Sequence, residues 1–399
     1  MATSPKQNPA DIAAEKQLQK ERNTYQKGEE WLLILLFLAV LFGLFLLFLV
    51  LPTKEYSKTE NRELQGAPEF TLSGLMDGSF SKKTVAYLKD QFPFKDQFVG
   101  LNAAYELAGG RLSSGGVIYG KDGYLLNEQG PLTENERSKL QSYAKVIDLL
   151  SSSIPTVVAL AGNSSQVMTD KLPAILPVSA VNERSALIEE TFSGKNYTYI
   201  NLQKLLFAHR GEEIYYRTDH HWTTLGAFYA SSAILEELGG TPLPIDAYRR
   251  DIIIDDFKGT AYNRSGMFWL PGENMEYFRY DGDEDFTLSF CAADGTVLST
   301  SHSLYNISCL LGDYRGTAYD SFVAPVSTAV VKIEKEGENR PVLLVLKDSF
   351  AHSALSFLAK DFDIITVDIR QNADYAYSLI KSGQVDMLLV LVNADTLLE

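Results

Sequence analysis

From Trp31 to Leu51 the chain is apolar and carries no charged residue. About 20 such residues in a helix cross the hydrocarbon core of a bilayer, and a lone helix satisfies all of its backbone polar groups there without outside partners. This stretch therefore predicts one transmembrane helix at 31–51, with Trp31 suited to the lipid–water boundary. The residues ahead of it are polar and of mixed charge, more acidic than the n-region of a signal peptide, and no small-x-small cleavage site follows Leu51. The reading is an uncleaved anchor. Lys16, Lys20, Arg22 and Lys27 precede the span and Lys54, Lys58 and Arg62 follow it, an asymmetry that leans toward a cytoplasmic tail at 1–30. A buried core helix is the competing reading.

Residues 52–69, polar with Pro and Gly, read as a stalk, and one extracytoplasmic domain is expected from about Phe70 to 399. Helical spacing between Ser79 and Gly110 breaks at Pro93, which predicts two short helices. Gly120 to Gly123, set between Val117-Ile118-Tyr119 and Tyr124-Leu125-Leu126, reads as a hairpin turn. From Glu134 the pattern alternates: a helix to about Leu150, a strand at Thr156 to Ala161, a helix near Val178 to Phe192, a strand at Tyr197 to Leu202. It resumes with strands at Val342 to Leu346, Ile364 to Asp368 and Met387 to Val392. Such alternation predicts an α/β fold with a mostly parallel sheet and helices on both faces. Between these halves, from about 243 to 335, Phe286 to Phe290 and Val297 to Thr300 flank an Asp-Gly turn and suggest an antiparallel, β-rich insertion.

A net charge of -15 argues against a nucleic-acid role, because phosphates are bound by clustered Lys and Arg that this chain does not show. Cys291 and Cys309 share the strand-rich region. An extracytoplasmic setting permits them to pair, and two reduced, buried thiols fit their apolar surroundings as well.

Only five histidines occur in the chain, and two stand together in Asp219-His220-His221-Trp222. A serine hydroxyl becomes a good nucleophile when an imidazole takes its proton and a carboxylate fixes the imidazole's tautomer. The third part is found at Asp348-Ser349-Phe350. There Val342 to Leu346 reads as a strand, and Phe350, Ala354 and Phe357 or Leu358 read as a helix, so Ser349 lies on a sharp turn at a strand's carboxyl end. Its N–H, at a helix N-terminus, is placed to stabilise an oxyanion. An ordinary N-cap is the plainer reading of Asp-Ser. Thr223-Thr224 starts a helix with an apolar stripe at Leu225, Phe228, Leu235 and Leu238, ended by Gly239-Gly240. In an extended segment Asp219 and His221 face one side and His220 the other, so His221 is cast as the base and His220 as structural. A metal site built from Asp219, His220 and His221 with His352 or Asp348 is a third reading, although no Cys/His spacing typical of zinc is present. Trp222 reads as core packing, with sugar stacking as its alternative role.

The segment from Arg217 to Ala227 resembles the signature of the DHHW protein family, and Asp348-Ser349 resembles the first block of SGNH hydrolases. Glu60-Asn61-Arg62, Asp90-Gln91-Phe92-Pro93, Gly120 to Leu125 and Val367-Asp368-Ile369-Arg370 also look like that family. The resemblance implies an SGNH hydrolase-like (flavodoxin-like) fold, related to alginate O-acetylation proteins, with Asp219, His221 and Ser349 as a catalytic triad and no cofactor. It implies an O-acetyltransferase or acetylesterase acting on a cell-envelope polysaccharide, working beside a multi-pass membrane O-acyltransferase. It offers Asn163 or the Gly259 N–H as oxyanion donors beside the Ser349 N–H. Two features depart from the SGNH pattern. Lys347 stands where glycine is usual, and the C-terminal Asp-x-x-His is absent. The resemblance moves the role of that histidine to the earlier motif, whereas Lys347 in place of glycine, with the open question of the oxyanion donors, favours an alternative, a catalytically inactive scaffold that binds polysaccharide or assists envelope assembly.

Overall fold

The apolar run lies in one long helix, α1 (Pro9–Val50). Within it, Lys27–Val50 is long and apolar enough to cross a membrane, and none of it is buried against the rest of the chain. The computed structural model describes residues 9–176, 179–311, 314–323 and 329–399. It divides into two units: Met1–Glu55 with Glu63–Lys95, and Tyr56–Arg62 with Asp96–Glu399.

In the first unit two short helices follow the long one. The Thr71 hydroxyl accepts the Gly74 N–H at 3.1 Å and so caps α2 (Leu72–Met76). Helix α3 (Ser79–Asp90) stops ahead of Pro93, and the next helix, Lys95–Ala108, which but for its first residue belongs to the second unit, starts after it, as the break in spacing predicts.

In the second unit Val117–Tyr119 pairs with Leu125–Asn127 in the expected hairpin, whose turn places Asp122 at φ 57° and Gly123 at φ 79°. Helix α4 (Glu134–Ser151) begins with a reciprocal capping box between Thr133 and Glu136. Next come β1 (Thr156–Ala161), α5 (Ser179–Phe192) and β2 (Thr198–Asn201). The expected start of α5 at Val178 lies outside the described residues. Helix α6 (Thr224–Glu237) is capped by Thr223 and ended by Gly239 at φ 79°. The remaining sheet elements are β3 (Phe286–Cys291), β4 (Val297–Ser301), β5 (Val330–Lys335), β6 (Val342–Lys347), α7 (Ala351–Leu358), β7 (Asp363–Asp368), α8 (Ala373–Lys381) and β8 (Met387–Asn393).

Eight strands make one sheet in the order β4-β3-β5-β7-β6-β8-β1-β2. The run from β7 to β2 is parallel, and β4, β3 and β5 extend it antiparallel past β7. This is the mostly parallel α/β sheet that the alternation predicts. The β-rich stretch is less separate than its sequence suggests, since three of its strands continue the main sheet. Arg249–Phe257 and Glu273–Arg279 pair apart from it.

Successive residues of the central strands enter different cores, which explains their unbroken apolar runs. Leu343, Val345, Leu389 and Leu391 pack with α6 and α7 residues such as Phe228, Ile234, Leu355 and Phe357. Leu344, Leu346, Leu388 and Val390 pack with Leu140 and Ile147 of α4, Phe192 of α5 and Leu379 of α8. Each such aliphatic side chain contributes about 1.5–3 kcal/mol on full burial, so the doubly covered centre is the most strongly held part of the sheet. β6 lies there, flanked by β7 and β8, and its carboxyl end carries Asp348 and Ser349. Cys291 and Cys309 are both free and buried.

Candidate active site

At the carboxyl end of β6 the turn into α7 is held by Asp348. Its carboxylate accepts the Phe350 N–H at 2.8 Å, the Asn393 N–H at 2.7 Å and the Thr396 hydroxyl at 2.6 Å. The turn is thereby tied to the end of β8, and Ser349 is left partly exposed between strand and helix. The serine does not cap α7. Its Oγ lies 2.8 Å from His221 Nε2 instead.

The other partners come from a bend. Residues 217–221 are not extended, contrary to the alternation argument for Asp219 and His221, and the two meet through a local turn. The His221 N–H donates to Asp219 Oδ1 at 3.0 Å, and His221 Nδ1 lies 2.5 Å from the same oxygen. Asp219 Oδ2 accepts the Thr260 N–H at 2.7 Å and its hydroxyl at 3.0 Å. Burial works to raise the Asp219 carboxyl, but the His220 and His221 rings and the bonds from His221 and Thr260 outweigh it and hold the group well below the usual carboxylate range. Asp219 and His221 are only 2% and 4% exposed.

The bend itself is clamped from outside. Glu273 accepts the Arg217 N–H at 2.8 Å, the Thr218 N–H at 2.8 Å and the Thr218 hydroxyl at 2.7 Å. The His221 ring is fixed from both sides. Tyr319 stacks on it at 3.9 Å between centroids and 8° between planes, and the His220 ring lies 3.8 Å away at 39°. His220 therefore does not face away, and its Nδ1 meets the Thr260 hydroxyl at 2.6 Å. Burial and the His221 ring push His220 down, so it stays neutral at ordinary pH.

Trp222 is fully buried, which closes it to a sugar and corrects the stacking role considered for it. Its Nε1–H donates to the Ser353 hydroxyl at 2.9 Å, and that oxygen meets the Tyr319 hydroxyl at 2.8 Å. The indole thus ties the bend to α7 and to the tyrosine above the imidazole.

The two suggested oxyanion donors are engaged elsewhere. The Asn163 side-chain oxygen accepts the Gln166 N–H and the Ser165 hydroxyl, and its amide donates to Asp395. The Gly259 N–H donates to the Thr218 hydroxyl at 3.3 Å. Gly259 instead provides room, because a Cβ there would fall 2.2 Å from Asp219 Cβ. Lys347, the departure from glycine, turns into the core beneath α7. Its Nζ lies 2.8 Å from His352 Nε2. Burial pushes the Lys347 ammonium down although Asp368 and Asp348 favour its charge, and burial with the Lys347 charge drives His352 well below its usual range.

Asp219, His220 and His221 each bring a ligand atom within 4.8 Å of the others, the spacing that a metal requires. The bonding opposes that use. Both His221 nitrogens are engaged, His352 faces Lys347, and Asp348 holds the end of β8, so among the described residues no further ligand joins the three. Thr260, Glu273, Tyr319 and Ser353 had no signal in the sequence, since each is an ordinary residue made relevant by packing. A carboxylate, an imidazole and a hydroxyl in series can pass a proton from the hydroxyl to the imidazole while the carboxylate keeps Nδ1 protonated.

The sequence profile described as DHHW protein matches residues 133–368, more than half of the chain. No curated protein matches it. Among solved structures, a DHHW family protein from Eubacterium siraeum aligns at TM-score 0.58 and 21% identity, over 72% of this chain and 93% of that one. Bacillus cereus PatB1, solved with a sulfonyl adduct, aligns at 0.57 and 19%, over 70% and 95%. The O-acetyltransferase domain of Pseudomonas putida AlgJ aligns at 0.45 and 17%, over 71% and 92%. The first two are likenesses of fold.

Proposed function

This chain belongs to the DHHW family, and from that premise we propose that it is a membrane-anchored serine acyl-transfer enzyme of the SGNH type, an O-acetyltransferase or acetylesterase acting on a cell-envelope polysaccharide. The observation that carries the reading is the series from Asp219 through His221 Nδ1 and Nε2 to the Ser349 hydroxyl, with contacts of 2.5 and 2.8 Å. Residues 1–30 are cytoplasmic in this arrangement, 31–51 span the membrane, 52–69 form the stalk and 70–399 the extracytoplasmic domain. A multi-pass O-acyltransferase supplies acetyl groups across the bilayer.

Ser349 Oγ attacks the acyl carbonyl as its proton passes to His221 Nε2, and a tetrahedral oxyanion forms. The Ser349 N–H, at the start of α7, is the first donor to that oxygen. Collapse breaks the bond to the leaving alcohol, which takes the proton from His221 and leaves an acyl-serine. A sugar hydroxyl or water then gives its proton to His221 and attacks the acyl-serine, releasing the ester or acetate and restoring Ser349.

The full-length protein in detergent, supplied with a chromogenic acetyl ester, tests this. Ser349→Ala and His221→Ala are each expected to lose several orders of magnitude of turnover. Turnover that survives both changes sinks the triad. The engaged Asn163 and Gly259 favour the second reading, an inactive polysaccharide-binding scaffold, because no second oxyanion donor is assigned. The two readings part on a sulfonyl fluoride or fluorophosphonate probe: an acyl-transfer enzyme labels at Ser349, and an idle scaffold does not.

A further inference from the structure

We propose that the exposed apolar residues of α2 and α3 rest in the headgroup layer beside α1, giving the chain a second membrane contact that does not span. The inference depends on the reading of α1 as an anchor. Phe48 lies inside the apolar run, one helical turn from its end, and its ring meets the Tyr87 ring of α3 edge-on at 5.5 Å and 73°. A residue touching the last turn of a span stands at the depth of the lipid–water boundary. The chain leaving the bilayer is also stapled to this helix. The Gln91 amide accepts the Lys54 N–H and donates to the Lys54 carbonyl, each at 2.9 Å, and Asp90 accepts the Gln65 N–H at 2.8 Å.

The same unit turns large apolar side chains outward. Phe70, Leu72, Leu75 and Met76 are exposed around α2, with Met76 at 82%, and Val85 and Leu88 are exposed on α3. Val85 and Leu88, three apart, share one helical face. Lys82, Lys83 and Lys89 of the same helix are exposed. In water this many open apolar side chains are a liability, whereas at a bilayer surface the apolar groups enter the acyl boundary and lysine stems reach back to phosphates. The net charge of -15 would repel an anionic leaflet, so the contact falls to this local face.

The full chain in phosphatidylcholine–phosphatidylglycerol nanodiscs tests the proposal, with an environment-sensitive fluorophore on one introduced cysteine at a time. The sites are Phe45→Cys in the anchor, Met76→Cys on the face and Leu298→Cys on exposed β4; Cys291 and Cys309 are replaced by serine. Lipid carrying a spin label near the headgroup is expected to remove about half or more of the emission at positions 45 and 76, since an interfacial face sinks only about 5–10 Å, and to leave position 298 unchanged. Quenching at 45 with none at 76 overturns the proposal and keeps the anchor. A blue shift at 76 without quenching means that protein covers the face, and overturns it too. No quenching at 45 overturns the anchor reading itself, and the proposal, which depends on it, falls with it.

Discussion

Asp219 divides its two oxygens between two tasks, Oδ1 facing the His221 ring and backbone and Oδ2 facing Thr260. Replacing it with Asn keeps the shape and removes the charge that fixes the imidazole's tautomer. Asp219→Asn is expected to lower ester turnover by about 10⁴-fold in initial-rate assays. The same carboxyl links stability to pH. Its folded pKa lies below the unfolded value, so its contribution is complete above the ordinary aspartate range, near pH 3.9, and is lost as pH falls further. Acid unfolding followed by near-ultraviolet circular dichroism should therefore be shallower in Asp219→Asn than in the parent. Tyr319 poses a separate question, because its ring stacks on His221 while its hydroxyl meets Ser353. Tyr319→Phe keeps the stack and is expected to cost about 1 kcal/mol in denaturant melts. Tyr319→Ala opens a cavity, costs about 3–5 kcal/mol and slows turnover as well. Equal activity in these two variants would mean that the stacked ring does not matter to the chemistry.

At the level of elements, α6 and β6 matter because they carry the two halves of the site. The start of α6 runs close to the chain before it: a Cβ on Gly226 would lie 2.3 Å from the Ile214 carbonyl oxygen. Alanine is the better helix former by about 1 kcal/mol. Overpacking costs about 1–3 kcal/mol, so Gly226→Ala is expected to destabilise in spite of its propensity, with a lower midpoint in thermal unfolding. The helical and strand periods of α4, β1, β6, β7 and β8 were legible because each is a local pattern of apolar residues. The fate of β3, β4 and β5 was not. The antiparallel pairing of β3 with β4 could be read from the turn, but β5 pairs with β7 through Val330 and Val367, and no local signal announces that register.

On the scale of the molecule, the second unit buries both thiols and leaves them unbridged, and burial raises both. Native protein is therefore expected to take up no maleimide, and protein unfolded without reductant to take up label at both cysteines. No uptake after unfolding would reveal a bridge. By itself the sequence determined the apolar span, the alternating strands and helices of the sheet, and the residue types able to activate a serine, because each is written in neighbours a few positions apart. Only the tertiary structure decided that His221 meets Ser349 across 128 residues of chain, that Thr260 and Glu273 hold the bend, and that Tyr319 covers the ring. Contacts of that kind depend on strand register and on how bends close over the sheet's carboxyl edge, and those are set by packing of the whole domain.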